Sequence, residues 1–288
     1  MENKINLHCI IVIYNANISE SVTFNNIVNA KLEYCRIIVM DNSDNIDFKV
    51  KNKETCKSNS STYIDMGGDL GLSKAFNAGI DYLYEQSVSQ SDIVVFLNDD
   101  TDITKEFLLE LPKIALKETE FDVFAPIMQG QNGILYSPAR QGFFKNKYPK
   151  TIDEEIPQNK FFAIASCCSC RLSIFNDYRF DENIFMDVID NDFCYEQRKK
   201  GTKFYKINVV IQQKFFLKSG NLTYKSLQGR LKFMLPDLWV FCKKKPLRML
   251  GYLPDVVARG IMYSYQTKSI KMWFWMMGYA LKCMTNKK

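Results

Sequence analysis

The chain has 288 residues, 47% hydrophobic and 14% aromatic with 13 Gly and 8 Pro, which excludes a disordered or collagen-like polymer and suits one large domain or a domain with an appendage. His8 is the only histidine, which excludes an HExxH zinc protease or a three-histidine zinc site and leaves a serine–histidine triad only a residue inside an apolar run. The net charge of +6 is split: from Lys214 onward fifteen Lys/Arg meet only Asp237 and Asp255, so that segment carries +13 and residues 1–213 carry −7.

The predicted elements alternate. Leu7–Tyr14 is a continuous apolar run closed by Asn15, the pattern of a buried parallel strand. Val22, Ile27 and Val28 follow at helical spacing. Arg36–Met40 is a second strand, stopped by Asp41-Asn42-Ser43-Asp44. Asp47–Ser61 is polar and reads as surface, and Thr62–Ile64 as a short strand. Gly67–Gly71 leads into a helix whose stripe is Leu72, Ala75, Phe76, Gly79, Ile80 and Leu83; it lacks the spacing of a dinucleotide fingerprint. Ile93–Leu97 is a third buried strand, and Thr104 is placed to cap a helix running to about Leu116. This β-α-β-α-β order predicts a mostly parallel sheet covered by helices on both faces, with ligands beyond the carboxyl ends of the strands. Phe121–Ile127 and Phe161–Ser166 read as further strands, separated by a long Gly/Pro/aromatic stretch suited to a lid or insertion.

Three constellations carry chemistry or its imitation. Asn98-Asp99-Asp100-Thr101-Asp102 puts carboxylates together at a strand end, where a cation relieves their repulsion; oxygen ligands favour Mg²⁺ or Mn²⁺. The alternative is a solvated acidic turn. Asp187-Val188-Ile189-Asp190-Asn191-Asp192 precedes Glu196 and Arg198, so a helix starting near Asp190 would hold a carboxylate suited to act as a general base. The alternative is an acidic helix start balanced by Arg198, Lys199 and Lys200. Cys167-Cys168-Ser169-Cys170 has no partner cysteine pair or histidine for a zinc site and reads as buried strand. The nine cysteines, odd in number and without framework spacing, suit a reducing compartment. Met-Glu-Asn-Lys at the start has no apolar stretch of a signal peptide, so a cytoplasmic location is expected.

Asp41-Asn-Ser, Gly68-Asp-Leu-Gly-Leu-Ser-Lys-Ala-Phe-Asn-Ala-Gly-Ile, Leu97-Asn-Asp-Asp-Thr and Phe180-Asp-Glu-Asn-Ile-Phe-Met-Asp-Val-Ile-Asp-Asn-Asp-Phe-Cys stand in the order found in glycosyltransferase family 2. The chain resembles that family, which has the GT-A fold, over about residues 7–210; the last motif is similar to its rhamnosyltransferase-like branch. The resemblance implies a nucleotide pocket lined by Asn15, Asp41, Asp69, Lys74 and Asn77. It implies a DxD region at Asn98, Asp99 and Asp100, with Asp100 and Asp102 on a divalent ion. Asp190 matches the catalytic base, flanked by Asp187 and Asp192. The implied reaction is inverting transfer of a sugar, rhamnose by resemblance, from a dTDP- or UDP-sugar donor to a glycan or lipid-linked acceptor, in capsule or O-antigen assembly. Asp100 and Asp190 must then share one cleft. Glu196 stands where many relatives have Arg, and Gln212-Gln213 where many have His, which puts metal affinity in question. Two other readings remain: a non-catalytic nucleotide-sugar-binding scaffold, and a sugar nucleotidyltransferase, which lacks its Gly-rich phosphate loop here.

The division expected is a GT-A body at 1–213 and a basic aromatic helical tail at 214–288. The tail holds Trp239, Trp273, Trp275 and seven of the twelve Met. Its longest uncharged apolar run, Met272–Leu281, has ten residues and is too short to cross a bilayer. Lys/Arg mixed with Trp, Phe and Met suits an anionic membrane surface at the inner face of the cell membrane; the alternative is a helical subdomain with its aromatics as core. Nucleic acid is not expected as a partner, since no recognition motif accompanies the charge.

Overall fold

The computed structural model describes residues 4–143, 145–218 and 222–285. Met1–Asn3, part of the start from which the lack of a signal peptide was expected, lie outside the described residues, as do Lys287 and Lys288 of the basic tail.

Alternation builds the first half: β1 (Leu7–Ile13), α1 (Val22–Ala30), β2 (Cys35–Asp41), α2 (Ile46–Ser58), β3 (Thr62–Asp65), α3 (Leu72–Glu85), β4 (Ile93–Asn98) and α4 (Lys105–Lys117). Then come β5 (Val123–Gly130), β6 (Leu135–Ser137), β7 (Ala139–Arg140), β8 (Phe161–Phe162), β9 (Ser169–Arg171), α5 (Ile189–Lys200) and β10 (Phe204–Gln213). Three helices finish the chain: α6 (Tyr224–Lys243), α7 (Pro246–Gln266) and α8 (Lys271–Thr285). The main sheet runs β10-β5-β9-β4-β1-β2-β3, with β6 hydrogen-bonded to β5. Pairs β3–β2, β2–β1, β1–β4 and β5–β10 are parallel, while β9 lies antiparallel between β4 and β5. This is the mostly parallel α/β sheet of the GT-A fold.

All seven residues of β1 are buried, because both faces are covered. Ile10, Val12, Ile38, Met40 and Phe96 pack with Phe76 and Ile80 of α3, whereas Cys9, Ile11, Val39 and Leu97 pack with Phe24 of α1 and Phe107 and Leu111 of α4. Thr104 caps α4, its side chain accepting from the Phe107 N–H. A third cluster belongs to the last three helices, where Leu227, Leu231 and Leu235 meet Tyr252, Val256, Tyr263, Met272 and Met276.

Two elements differ from the sequence reading. The stretch taken as polar surface is largely the helix α2, which has almost no apolar face: its buried residues are Asn52 and Cys56. Asn52 holds it by polar bonds, donating to the Ala16 carbonyl (3.0 Å) and Asp41 Oδ2 (2.9 Å) and accepting from the Ile18 N–H (2.7 Å). Hydrophobic periodicity cannot register a helix docked this way. The second difference is at Phe161–Ser166, of which only Phe161–Phe162 pairs, with β7 in a separate two-stranded ribbon. The central antiparallel strand is instead Ser169–Arg171, and Cys167, Cys168 and Cys170 are buried. Cys167, at φ 61°, turns the chain into that strand.

Asp41 is fully buried, and its carboxylate accepts from the Ser43 N–H, Asn52 Nδ2 and Tyr63 OH. Asn52→Ala removes one donor from a buried charge and is expected to cost about 3 kcal/mol, read as a lowered urea midpoint at unchanged m-value.

Candidate active site

The carboxyl ends of β1 and β4, the loop before α3, the segment before α5 and the inner sides of α6 and α7 enclose one cavity of about 1340 Å³. Tyr136, Asn146 and Tyr148, from the stretch expected as a lid or insertion, also line it.

Of the residues picked from sequence, Asp69, Asn98, Asp99, Asp100, Asp187 and Asp190 line this cavity. Asp100 and Asp190 therefore face a common space. Asn98 is fixed by donating to Ser166 Oγ (3.0 Å), and Thr23 Oγ1 donates to its carbonyl (2.6 Å). Asp99 has its carboxyl pushed up, first by burial and then by its neighbour Asp100. Asp69 is also raised by burial, beside Asp44, whose Oδ1 accepts from its N–H.

The remaining candidates lie elsewhere. Asn15, in the left-handed region at φ 44°, accepts through Oδ1 from the Asp44 and Asn45 N–H groups and so joins two loops. Asp41 is the buried clamp described above. Asn77 exchanges bonds with the Phe180 backbone, accepting from its N–H and donating to its carbonyl, both at 2.9 Å. Lys74 lies in the first turn of α3, outside the cavity lining. Asp102 faces Gln212 in an isolated bridge and accepts from Asn26 Nδ2. Asp192 is buried and holds Lys244 Nζ at 2.7 Å, an ion that also reaches Asp181 at 2.9 Å. Arg198 spends its guanidinium on Gln141 and the Phe161 carbonyl.

The three acids around the start of α5 are thus distinct. Asp187 is locked: Arg230 Nη2 donates to its Oδ1 at 2.7 Å, while Oδ2 is buried without a hydrogen-bond partner. Burial lifts its carboxyl to about 6, against the pull of Arg230. Asp190 accepts through Oδ1 from Asn191 N (2.8 Å) and Nδ2 (3.1 Å), and among the described residues nothing bonds its Oδ2. Burial raises it to about 6 as well. Asp190 is the one with an oxygen available to a ligand. Between them Val188 sits in the left-handed region at φ 55°, which a β-branched residue adopts only when its surroundings impose it.

What imposes it is a residue that sequence reasoning did not select. Asp237, buried on α6, accepts the N–H groups of Phe185, Met186 and Asp187, each at 2.8 Å. From the other side, Leu72 N–H donates to the Phe185 carbonyl at 2.6 Å, and a Cβ on Gly71 would lie 2.5 Å from that oxygen, so glycine is required there. Arg230, Lys225 and Arg259 were also missed and line the cavity; Arg259 Nε donates to Asp255 Oδ2 at 2.9 Å. The available signal was a charge anomaly: Asp237 and Asp255 are the two acids of an otherwise basic segment.

Among the described residues no group of three His, Cys, Asp or Glu forms a ready-made metal shell. Asp99 and Asp100 do stand side by side in the cavity, and Gln213 donates through Nε2 to Asp100 Oδ1 at 3.1 Å while its Oε1 is buried without a hydrogen-bond partner. One or two carboxylates with substrate phosphates and water suffice for Mg²⁺. These residues fit a divalent ion completed by ligand oxygens.

A GT-A sheet thus carries an Asn-Asp-Asp turn at its carboxyl edge, in the same cavity as a half-buried aspartate. The chain belongs to glycosyl transferase family 2, whose sequence profile matches residues 9–179. It is 27% identical over 188 residues to the low-salt glycan biosynthesis hexosyltransferase Agl10 of Haloferax volcanii, an alignment spanning 60% of this chain and 56% of that protein. Among solved structures it resembles the Pyrobaculum calidifontis mannosyltransferase PcManGT in complex with GDP-Man and Mn²⁺, at TM-score 0.58 and 11% identity over 100% of this chain and 89% of that one. It also resembles S. aureus TarS 1–349 with UDP-GlcNAc, at TM-score 0.54 and 14% identity over 97% and 81% of the two chains. At these identities the structural likeness concerns the fold.

Asp237→Asn leaves a poorer acceptor for three amides. Hydrogen exchange at Phe185, Met186 and Asp187 is expected to speed up by about tenfold or more, from about 1.5–3 kcal/mol lost per bond to a charged acceptor, with protection in β1 and β4 retained. Unchanged exchange at those amides overturns the anchoring role.

Proposed function

We propose that the protein is an inverting, divalent-metal-dependent glycosyltransferase that moves a sugar from a nucleoside-diphosphate donor to a hydroxyl group. The observation that carries this is the shared cavity: Asp99 and Asp100 on one wall, Asp190 with an unbonded Oδ2 on another. In this reading residues 1–213 make the transferase body and 214–288 a helical unit that closes its cavity.

The acceptor oxygen attacks the anomeric carbon, and the bond from that carbon to the diphosphate oxygen breaks. Its electron pair leaves with the nucleoside diphosphate, and Asp190 Oδ2 takes the acceptor proton. Asp99 and Asp100, with Gln213 beside Asp100, would hold Mg²⁺ or Mn²⁺, and the ion would supply positive charge to the diphosphate. Asp69 lies on the donor side of the cavity. Asp187 is a positioning residue: its bond to Arg230 fixes the turn from which Asp190 projects. Asn15, Asp41, Asn77 and Asp192 brace this site from outside the cavity, and Lys74 stands in the first turn of α3 outside the lining.

Hexosyl transfer is the activity in the name of the Haloferax volcanii relative, and the two solved neighbours hold UDP-GlcNAc and GDP-Man with Mn²⁺. For this chain we favour a dTDP- or UDP-linked hexose, rhamnose being the candidate from the 180–194 motif. The favoured acceptor is a glycan or lipid-linked glycan of a capsule or O-antigen, used at the cytoplasmic face of the cell membrane. A scaffold without turnover is less favoured, because it leaves the cavity-facing Asp190, whose Oδ2 accepts no hydrogen bond among the described residues, without a task.

Asp190→Asn is expected to lower kcat by about 10²–10⁴-fold while nucleoside-diphosphate affinity, read by calorimetry, changes little. Wild-type turnover in that variant removes Asp190 as the base. A base must be unprotonated, and Asp190 is raised to about 6. Hence kcat should be flat above about pH 7 and fall up to about tenfold per unit below pH 6. Asp100→Asn should remove the Mn²⁺ or Mg²⁺ dependence of nucleoside-diphosphate binding, checked by titration with and without EDTA. A panel of nucleotide sugars assayed for released nucleoside diphosphate identifies the donor; release of pyrophosphate instead would mark a nucleotidyltransferase.

A further inference from the structure

The basic, aromatic composition of the last segment pointed to its tryptophans as lipid-contacting groups. The fold uses them otherwise. Trp239 packs on Tyr252, Trp275 stacks on Tyr279, and Trp273 meets α7 where Gly260 leaves room, a Cβ there coming within 2.9 Å of the indole. Trp239 and Trp275 are partly buried against the core shared by α6, α7 and α8.

A different set of apolar side chains is left outside. On α7, Leu247, Leu250, Ile261 and Tyr265 are exposed at 74%, 71%, 61% and 87%. Pro254 and Ala258 between them are exposed too, so the spacing is three or four residues throughout and the six form one stripe. The opposite side of the same helix carries the buried Tyr252, Val256 and Tyr263 and the cavity-lining Arg259. Ile270 in the following turn is exposed at 66%, and Phe274 and Leu281 of α8 at 64% and 50%. A soluble surface scatters such residues singly; a continuous stripe marks an interaction face.

Charge identifies what covers it. The exposed charges of α7, α8 and their flanks are Lys243, Lys244, Lys268, Lys271 and Lys282, of which Lys244 pairs with Asp181 and Asp192. The one acid of α7 and α8, Asp255, pairs with Arg259 at 2.9 Å, and Asp237 of α6 is buried against the 185–187 backbone. An apolar stripe bordered by lysines with no exposed carboxylate matches an anionic lipid surface, where apolar side chains enter the acyl boundary and lysines meet headgroup phosphates. No described helix is long and apolar enough to cross a membrane, so the contact is interfacial.

We infer that the outer face of α7, extended by Ile270, Phe274 and Leu281, seats the protein on an anionic bilayer. One helix, about 10–12 Å across, then separates lipid from the Arg259 side of the cavity, which brings the cavity to the membrane surface. This deepens the lipid-linked-acceptor reading above and gives it a structural route, but the contact itself does not depend on turnover.

The test is flotation of the full chain with phosphatidylcholine vesicles, with and without about one-third phosphatidylglycerol. Wild type is expected to float with the anionic vesicles, and to do so at least about tenfold less with neutral ones or when NaCl rises from about 0.05 to about 0.5 M. Leu247→Ser/Leu250→Ser, at exposed sites, should weaken partitioning at least about tenfold with thermal unfolding and nucleoside-diphosphate binding as in wild type. Trp275→Phe, on the inner side, should float like wild type. Equal flotation of the double variant, or no lipid dependence at all, overturns the inference. So does a wild-type dimer in sedimentation velocity that the double variant converts to monomer, which assigns the stripe to a second copy. Flotation without sugar transfer would leave the membrane face standing and remove the transferase reading, and the reverse result would do the opposite.

Discussion

Three backbone N–H groups, of Phe185, Met186 and Asp187, converge on one carboxylate, and that carboxylate belongs to a helix about fifty residues further along the chain. A buried carboxylate is costly unless its lone pairs are taken up, and three donors at 2.8 Å do so. The segment gains in return a fixed course through an unfavourable conformation, since Val188 next to it holds a positive φ that an isolated chain would leave. From the sheet side, Leu72 and the bare backbone of Gly71 press on the Phe185 carbonyl. The cavity wall bearing Asp187 and Asp190 is thus positioned by two elements remote in sequence, α3 and α6. Phe185 stacked on Phe233 at 5.1 Å adds apolar contact to the same joint.

The same logic recurs away from the cavity. Asp41, Asn52 and Tyr63 join β2, α2 and β3 through one buried carboxylate, and Asn77 joins α3 to the turn at Phe180 through both ends of its amide. Of these residues Asp41 and Asn77 look like ligand contacts when read from the sequence, Asp41 as a polar residue closing a strand and Asn77 through the family motif. Their geometry shows every nearby polar group directed at backbone or at another side chain of the chain itself. A polar residue at a strand end is constrained either way, and sequence alone does not separate a group that holds a ligand from one that holds the loop that holds it.

That ambiguity explains which parts of the molecule were legible. Strands β1, β2 and β4 were readable because burial on both faces demands unbroken apolar runs, and α3 and α4 because one face does. α2 was not, since its docking is carried by the amide of Asn52 rather than by an apolar stripe. β9 falls in the cysteine run read as buried strand, but its antiparallel insertion between β4 and β5 was not legible, because it depends on contacts distant in sequence. At the cavity, clusters announced Asp99, Asp100, Asp187 and Asp190. Arg230, Arg259 and Asp237 lie singly on helices of ordinary amphipathic pattern, and only the three-dimensional path of α6 and α7 brings them to the 185–190 segment.

The arrangement of charge across that joint has a consequence for how separable the two halves of the chain are. Asp187 and Asp190 lie three residues apart, both raised by burial, and Asp190 raises Asp187 further. Arg230 at 2.7 Å offsets this at Asp187, and Arg259 lowers Asp187 as well. Both cations come from the helices after residue 213, as does Lys244 on Asp192 and Asp181. The acidic body, at −7, and the basic segment, at +13, therefore meet through partly buried ion pairs. Without α6 and α7 the 185–192 turn would keep its acids and lose the cations and the Asp237 acceptor that let them stay close and ionised. The proton affinity of Asp187, raised first by burial, is thus lowered in part by cations of the helical segment, although the sheet carries the family motifs.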